Sequence, residues 1–321
     1  MSQKAVATIA ENIEIARGVF RLVLSDVQGA DGSGACGARL TSPVVLPKDV
    51  TVADIAAAAV PGQFVNVYLN NESMLLPRPF GISDVESFDG ERRLVLVYAI
   101  RGAGTAELAS YVPGTEIRVL GPNGNGYDLE GLGRHVLLVG GGLGIPPLLF
   151  VARRTRESSG PYGRPKITAI LGYSEDAYYS EAIHLYCDDV FGISESRHLG
   201  GGVSYGGSPG TVMDLIDRLV FEGKLDVAGT SILSCGPIPM LRAVSEWAVG
   251  NGIPAQVSLE ARMGCGYGAC VGCTIDISVG APTVTEDCGL TATFCGTASS
   301  PIVRRKVCKD GPVFPSDTVI W

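Results

Sequence analysis

The chain has 321 residues, of which 46% are hydrophobic and 18% charged, enough for two or three domains with cores of their own and too apolar for a disordered chain. A formal net charge of -8 offers no basic field to a phosphate backbone, which excludes nucleic acid as a partner. The most apolar run, Val136 to Ala152, is broken by Gly140, Gly141, Gly142, Gly144, Pro146 and Pro147, and Met1 to Glu11 lacks the basic start and apolar core of a leader, so a cytoplasmic chain without a membrane span is expected.

Short apolar runs separated by turns fill the first third: Ala5 to Ile9, Val19 to Leu24, Phe64 to Leu69, Leu94 to Ile100 and Ile117 to Leu120. This pattern predicts an antiparallel barrel or sandwich over residues 1–130. Two stretches read as loop excursions from it, Gly29 to Gly37 and Pro43 to Val60. From residue 131 the texture changes. Strand-like runs at His135 to Val139, Ile167 to Leu171 and Ser231 to Ser234 alternate with helical faces at Val212, Leu215, Ile216 and Leu219, and at Leu241, Val244, Trp247 and Ala248. Alternation of that kind predicts a parallel sheet over 131–253. Residues 254–321 are cysteine-rich and loop-like, as a small third module built around a metal would be.

The strongest local signal is Cys265-Gly-Tyr-Gly-Ala-Cys270-Val-Gly-Cys273, a C-x4-C-x2-C run of the spacing found at plant-type 2Fe-2S centres. Thiolates are the ligands ferric iron needs. Gly264, Gly266, Gly268 and Gly272 let the backbone wrap closely, with amides free to bond the sulfurs. A structural zinc site is the plainer alternative, although zinc knuckles more often pair two C-x2-C units. A fourth ligand must come from Cys288, Cys295 or Cys308, and distance along the chain favours Cys288, separated from Cys273 by 14 residues against 34 for Cys308. Cys36 and Cys187 have no ligand neighbours and read as incidental thiols.

Two glycine-bearing segments complete the chemistry. Val136-Leu-Leu-Val-Gly140-Gly141-Gly142-Leu-Gly144-Ile-Pro-Pro147 puts a glycine turn between a strand and a helix, the arrangement that brings a dinucleotide pyrophosphate to a helix start. Ser234-Cys235-Gly236-Pro-Ile-Pro-Met240 follows a later strand, where a buried strand-end thiol is the plain reading of Cys235. His135, His184 and His198 sit in no motif with a nucleophile or a paired carboxylate.

Ser258 to Cys273, with Val307-Cys-Lys-Asp-Gly-Pro-Val-Phe314, resembles the electron-transfer subunits of NAD-linked dihydroorotate dehydrogenases, a branch of the ferredoxin-NADP reductase superfamily. The resemblance covers nearly the whole chain. It implies a FAD-binding barrel, an NAD-binding domain and a C-terminal 2Fe-2S module, with Cys308 as the fourth ligand beside Cys265, Cys270 and Cys273. By the same resemblance, Pro61-Gly-Gln-Phe-Val65 precedes the flavin, and Arg78-Pro79-Phe80-Gly81-Ile-Ser83 carries the flavin contacts. Arg78 would hold the pyrophosphate, since a guanidinium fork makes two parallel charge-assisted bonds. Gly81 stands where the family usually has serine, and Ser83 follows two residues later. Arg101-Gly102-Ala-Gly104-Thr105 resembles the family's turn before a short helix, here expected from Ala106 to Tyr111. Gly121 to Gly126 resembles the exit from the barrel, and Cys235-Gly236 the segment beside the nicotinamide.

The resemblance further implies a separate FMN-containing catalytic subunit and two copies of each chain; because a cluster must lie between this chain's FAD and an acceptor docked outside, the docking face is expected near Met263, Tyr267 and Val271. Glu175 and Asp176, after the second strand of the nucleotide domain, predict NAD(H) over NADP(H), because carboxylates accept from ribose hydroxyls and repel a 2'-phosphate. Two other readings remain at this point: a reductase subunit of a hydrogenase, sulfide-linked or oxygenase system, and a non-catalytic scaffold keeping a cluster for stability or redox sensing.

Overall fold

The computed structural model describes residues 3–26, 50–158, 163–174, 176–195, 209–279 and 301–321. Six strands close the expected barrel: β1 (Gln3–Ala16), β2 (Val19–Ser25), β3 (Phe64–Tyr68), β4 (Arg78–Phe88), β5 (Glu91–Ala99) and β6 (Glu116–Asn123), in the order β1-β2-β5-β4-β3-β6 with antiparallel neighbours throughout. Alternation drives the closure. Ala5, Ala7 and Ile9, Leu22 and Leu24, Val65 and Val67, Leu94 and Leu96, and Ile117 and Val119 all turn to one interior.

The stretch Pro43 to Val60 is not the plain loop excursion expected. Its described part contains helix α1 (Val52–Ala58), started by a reciprocal cap in which Thr51 Oγ1 accepts from Asp54 N at 3.1 Å and Asp54 accepts from Thr51 N at 2.9 Å. Val52 and Ile55 are fully buried in the barrel core, contributing roughly 1.5–3 kcal/mol each. The glycine-rich stretch Gly29 to Gly37 lies outside the described residues. The short helix α2 runs Ala103–Ala109, three residues earlier than expected at its start, and Gly102 is its N-cap.

The second layer is a six-stranded sheet in the order β14-β11-β10-β7-β8-β9: β7 (His135–Gly141), β8 (Lys166–Tyr173), β9 (Asp189–Ser194), β10 (Thr230–Cys235), β11 (Ala255–Ser258) and β14 (Val313–Pro315). The first five are mutually parallel, and β14 adds antiparallel to β11. Four helices accompany it: α3 (Ile145–Glu157), α4 (Ser180–His184), α5 (Val212–Phe221) and α6 (Ile238–Gly250). The faces read from periodicity are the buried ones: Val212, Leu215, Ile216 and Leu219 on α5, and Leu241, Val244 and Ala248 on α6. The sheet runs past the boundary drawn after residue 253, because β11 and β14 come from the segment expected to form a module of its own. What remains of that segment is the cysteine loop, the strand pair β12 (Thr274–Ser278) and β13 (Ile302–Lys306), and the single turn α7 (Val307–Asp310).

Barrel and sheet are joined chiefly where α3 lies on β4. Phe150 of α3 enters the barrel core, and Arg153 forms an ion pair with Asp84 while also donating to Val85 O at 2.9 Å. Burial raises the Asp84 carboxyl more than the Arg153 charge lowers it, so the pair serves to fix orientation more than to add stability. Tyr127, between the two layers, donates its phenol to Ser234 O at 2.7 Å.

Candidate functional site

At the start of β4, register sets Arg78 opposite Val67, Pro79 opposite Asn66, Phe80 opposite Val65 and Gly81 opposite Phe64. Arg78 Nη1 donates to Leu76 O at 2.6 Å, and its guanidinium lies over Gly104, where an added Cβ would sit 2.3 Å from Nε. The arginine and the Gly102-to-Thr105 turn are therefore brought together, and only glycine permits the approach. Thr105 Oγ1 is engaged by its own turn, accepting from Arg101 N at 2.8 Å. Phe80 packs on Tyr98 with ring centroids 5.4 Å apart. Gly81 faces Pro147 of α3, whose Cγ would lie 3.3 Å from an added Cβ. Ser83 is fully buried, its hydroxyl without a hydrogen-bond partner among the described residues, on a strand whose neighbours Gly81 and Asp84 touch α3.

The nucleotide motifs also meet. A Cβ on Gly144 would stand 2.2 Å from Cys235 O, and one on Gly141 would stand 2.6 Å from Met240 Sδ. Gly140 accommodates Leu148 and Ile145, and Gly236, at φ +157, lies against the backbone of Gly141. Gly142 alone of the turn, at φ +52, has open space where its side chain would be. The Cys235 thiol is buried, which pushes it up to about 12, and the nearby Glu260 carboxylate adds to the shift. Arg101 in turn acts on Glu260 from the barrel side. The sequence does not reveal either residue's part in this cluster, because the electrostatic link joins positions 159 apart, Arg101 and Glu260. Asp176 is exposed, and Glu175 lies outside the described residues.

In the cysteine loop, Cys270 N donates to Cys265 Sγ at 3.3 Å. Burial opposes ionisation of Cys265, yet amides of Cys270, Tyr267 and Ala269, with the Cys270 thiol, outweigh it and bring Cys265 down to about 6. The β12–β13 register pairs Thr274 with Lys306, so Cys273, one residue before, stands beside the start of α7, and Val307 N donates to Cys273 O at 2.8 Å. Cys308 follows immediately. Its thiol is pushed up to about 12 by burial and by Cys273, with Cys265 also acting on it and the Gly268 amide opposing. Strand pairing thus closes the separation that chain distance suggested, and four thiols share one neighbourhood. Lys306 Nζ holds Gly268 O at 2.6 Å, and the Lys309 stem fills the space beside Gly268. Cys288 and Cys295 lie outside the described residues, and Cys187 is a buried thiol in the core of the nucleotide layer.

Among the described residues no three His, Cys, Asp or Glu side chains gather as they would around one metal ion. Cysteine sulfurs that receive backbone amides, as Cys265 does from Cys270, Tyr267 and Ala269 and Cys308 from Gly268, are of the kind that a 2Fe-2S cluster takes as ligands. The exit from the barrel touches this region as well: Asn125 N donates to Gly311 O at 2.6 Å and its side chain to Asp310 O at 3.0 Å, which gives Gly124 and Asn125 a packing role.

A closed antiparallel barrel set against a parallel sheet, with the arginine and glycine segments meeting between strands, defines a flavoprotein reductase of the ferredoxin-NADP reductase type. A solved structure of that type, an NADH-dependent reduced ferredoxin-NADP oxidoreductase studied for flavin-based electron bifurcation, superposes with a TM-score of 0.70 and 25% identity over 99% of this chain and 90% of the other. The chain belongs to the family of electron transfer subunits of dihydroorotate dehydrogenase B (NAD(+)). The member from Shouchella clausii is 35% identical over 263 residues, 81% of this chain and 86% of that one, and the member from Bacillus velezensis is 30% identical across 99% of both. No protein-family model matches the chain. No helix among the described residues is long and apolar enough to cross a membrane.

Proposed function

We propose that this chain carries electrons from an FMN-containing subunit that oxidises dihydroorotate, by way of a 2Fe-2S cluster and FAD, to NAD+. Its work falls to three units, 1–130 for the flavin, 131–253 for the nucleotide and 254–321 for the cluster, the last lending two strands to the sheet. Cys265, Cys270, Cys273 and Cys308 would hold the cluster. Arg78, with Gly102, Gly104 and Thr105, would hold the flavin pyrophosphate, and Pro79 to Gly81 would border the ring. Gly140 to Gly144, with Cys235 and Gly236, would receive the dinucleotide. Bound there, the groups supply one-electron carriage at the sulfur site and hydride transfer at the nucleotide.

The protein's own part is orientation. The Arg78 fork is presented over glycine backbone, where two parallel bonds to a diphosphate can form. Gly142, with open space where a side chain would stand, lets a phosphate approach the turn closely. Burial keeps the Cys235 thiol protonated at neutral pH, so it would border a nicotinamide ring without competing as a nucleophile. The single observation that carries the reading is the meeting of Cys308 with the Cys265–Cys273 loop, beside the strand that pairs with the Arg78 segment.

The catalytic partner would dock where Tyr267 and Val271 are 51% and 72% exposed, whereas Met263 packs inward against the module's core. We further propose two copies of each chain and a cytoplasmic location. A reductase subunit of another redox complex is the second reading, favoured by the ferredoxin-linked structural relative. Mixing the purified chain with a dihydroorotate dehydrogenase catalytic subunit should confer dihydroorotate-dependent reduction of NAD+, and of NADP+ much more weakly. Failure to associate or gain activity, with electrons accepted instead by another redox protein, would leave the second reading.

A further inference from the structure

Strand β3 has two faces with different partners. Val65 and Val67 turn into the barrel core, and the pleat puts Phe64, Asn66 and Tyr68 on the other side. Phe64 joins the apolar cluster that contains Cys273, Cys308 and Phe314. Asn66 is fully buried, and its Nδ2 donates to the carbonyl of Cys265 at 3.1 Å. Gly266, at φ +71, makes the room: a Cβ there would lie 2.3 Å from Asn66 Oδ1. That Oδ1 is buried with no partner among the described residues. Through the ladder, Asn66 stands opposite Pro79, one step from the Val67–Arg78 pair. One side chain therefore spans from the strand beside the flavin segment to the first cysteine of the loop, crossing 199 positions of sequence.

We infer that Asn66 is a positioning residue for electron transfer: its carboxamide seats the Cys265 end of the cluster loop against β3 and so sets the separation and orientation of cluster and flavin. The inference rests on the cofactor assignment proposed above. One electron leaves the reduced cluster and one enters the flavin, with no bond made or broken at Asn66 and no proton passed through it. A polar side chain buried on a strand has a cost that an apolar residue would avoid, and the bond to Cys265 is what offsets it. Freed of that bond, the loop can shift, and electron transfer slows steeply as the separation of the two groups grows.

The test uses the full chain carrying its FAD and cluster, as wild type, Asn66→Leu and Asn66→Ser, with flavin and iron content measured first. Serine is too short to reach Cys265 and is the variant to read if leucine fails to fold. Stopped-flow mixing with NADH should show flavin bleaching at the wild-type rate in every form. The following reduction of the cluster should slow severalfold in the variants, with an altered cluster EPR line shape, a signature that lost stability alone would not produce. Variants with full cofactor content, wild-type cluster reduction and an unchanged EPR line shape would overturn the inference. A wild-type chain with no 2Fe-2S signal would instead sink the cofactor assignment, and this inference with it.

Discussion

At the turn between β7 and α3, side chains added to Gly140, Gly141 and Gly144 would meet atoms of the same layer: Leu148, Met240 and the Cys235 carbonyl. In the cysteine loop, side chains added to Gly266 and Gly268 would meet residues that arrive from elsewhere, Asn66 of the barrel and Lys309 of α7. Both segments are glycine-rich, and in both the glycine mostly admits protein instead of ligand. The nucleotide turn is shaped from within its own sheet, so it depends on local packing. The cluster loop is shaped by two other parts of the chain, so it depends on their arrival.

The sharpest way to break that contrast is at Cys308, supplied to the loop by α7. Cys308→Ala should abolish the visible absorbance of the 2Fe-2S centre, and Cys288→Ala should spare it. The reverse result would mean that the loop takes its fourth ligand by chain proximity. A smaller effect separates the two kinds of glycine. Gly144→Ala drives a Cβ onto backbone 2.2 Å away and should lower stability by about 1–3 kcal/mol in thermal or denaturant unfolding. Gly264→Ala, whose nearest neighbour would be Cys270 Sγ at 3.5 Å, should stay within about 0.5 kcal/mol of wild type. Equal losses at both positions would erase the distinction.

The mildest effect concerns His135, at the foot of the strand that carries the nucleotide turn. Its ring is buried, with Nε2 2.8 Å from Thr168 Oγ1, and burial lowers its pKa below the ordinary 6.5, assisted by Lys166 and opposed by Asp226 and Asp189. The folded chain keeps this histidine neutral where the unfolded chain would bind a proton. Its stabilising contribution is complete above pH 6.5 and declines as the pH falls from there toward the folded value. Melting temperature should therefore drop between pH 7.5 and pH 5.5 on the order of a few degrees, and the drop should be shallower in His135→Asn. Parallel profiles for the two proteins would contradict this.

The barrel and the sheet were legible because their strands are short apolar runs and their helices show clear faces, as Val212, Leu215, Ile216 and Leu219 do on α5. Helix α1 was not, although its signal was present: Thr51 and Asp54 have capping-box spacing ahead of Ile55, inside a stretch whose composition suggested a loop. The cysteine motif announced itself by spacing. The partnership of Cys273 with Cys308 did not, since it depends on a β12–β13 register that no local pattern encodes. Asn66 was invisible for a related reason. A strand with Phe64, Val65, Val67 and Tyr68 reads as buried on both faces, and a polar residue within it declares its purpose only when the loop it bonds has been found.

Chain order gives the β14 addition a consequence for biosynthesis. A ribosome makes the barrel, the five parallel strands and three clustered cysteines before it makes Cys308 and, five residues later, β14. A product cut short before that point lacks the proposed closing ligand and also leaves β11 as an open sheet edge, an invitation to aggregation. Sealing the sheet and completing the sulfur set thus belong to the same short segment, so an unfinished chain would present both defects to quality control together.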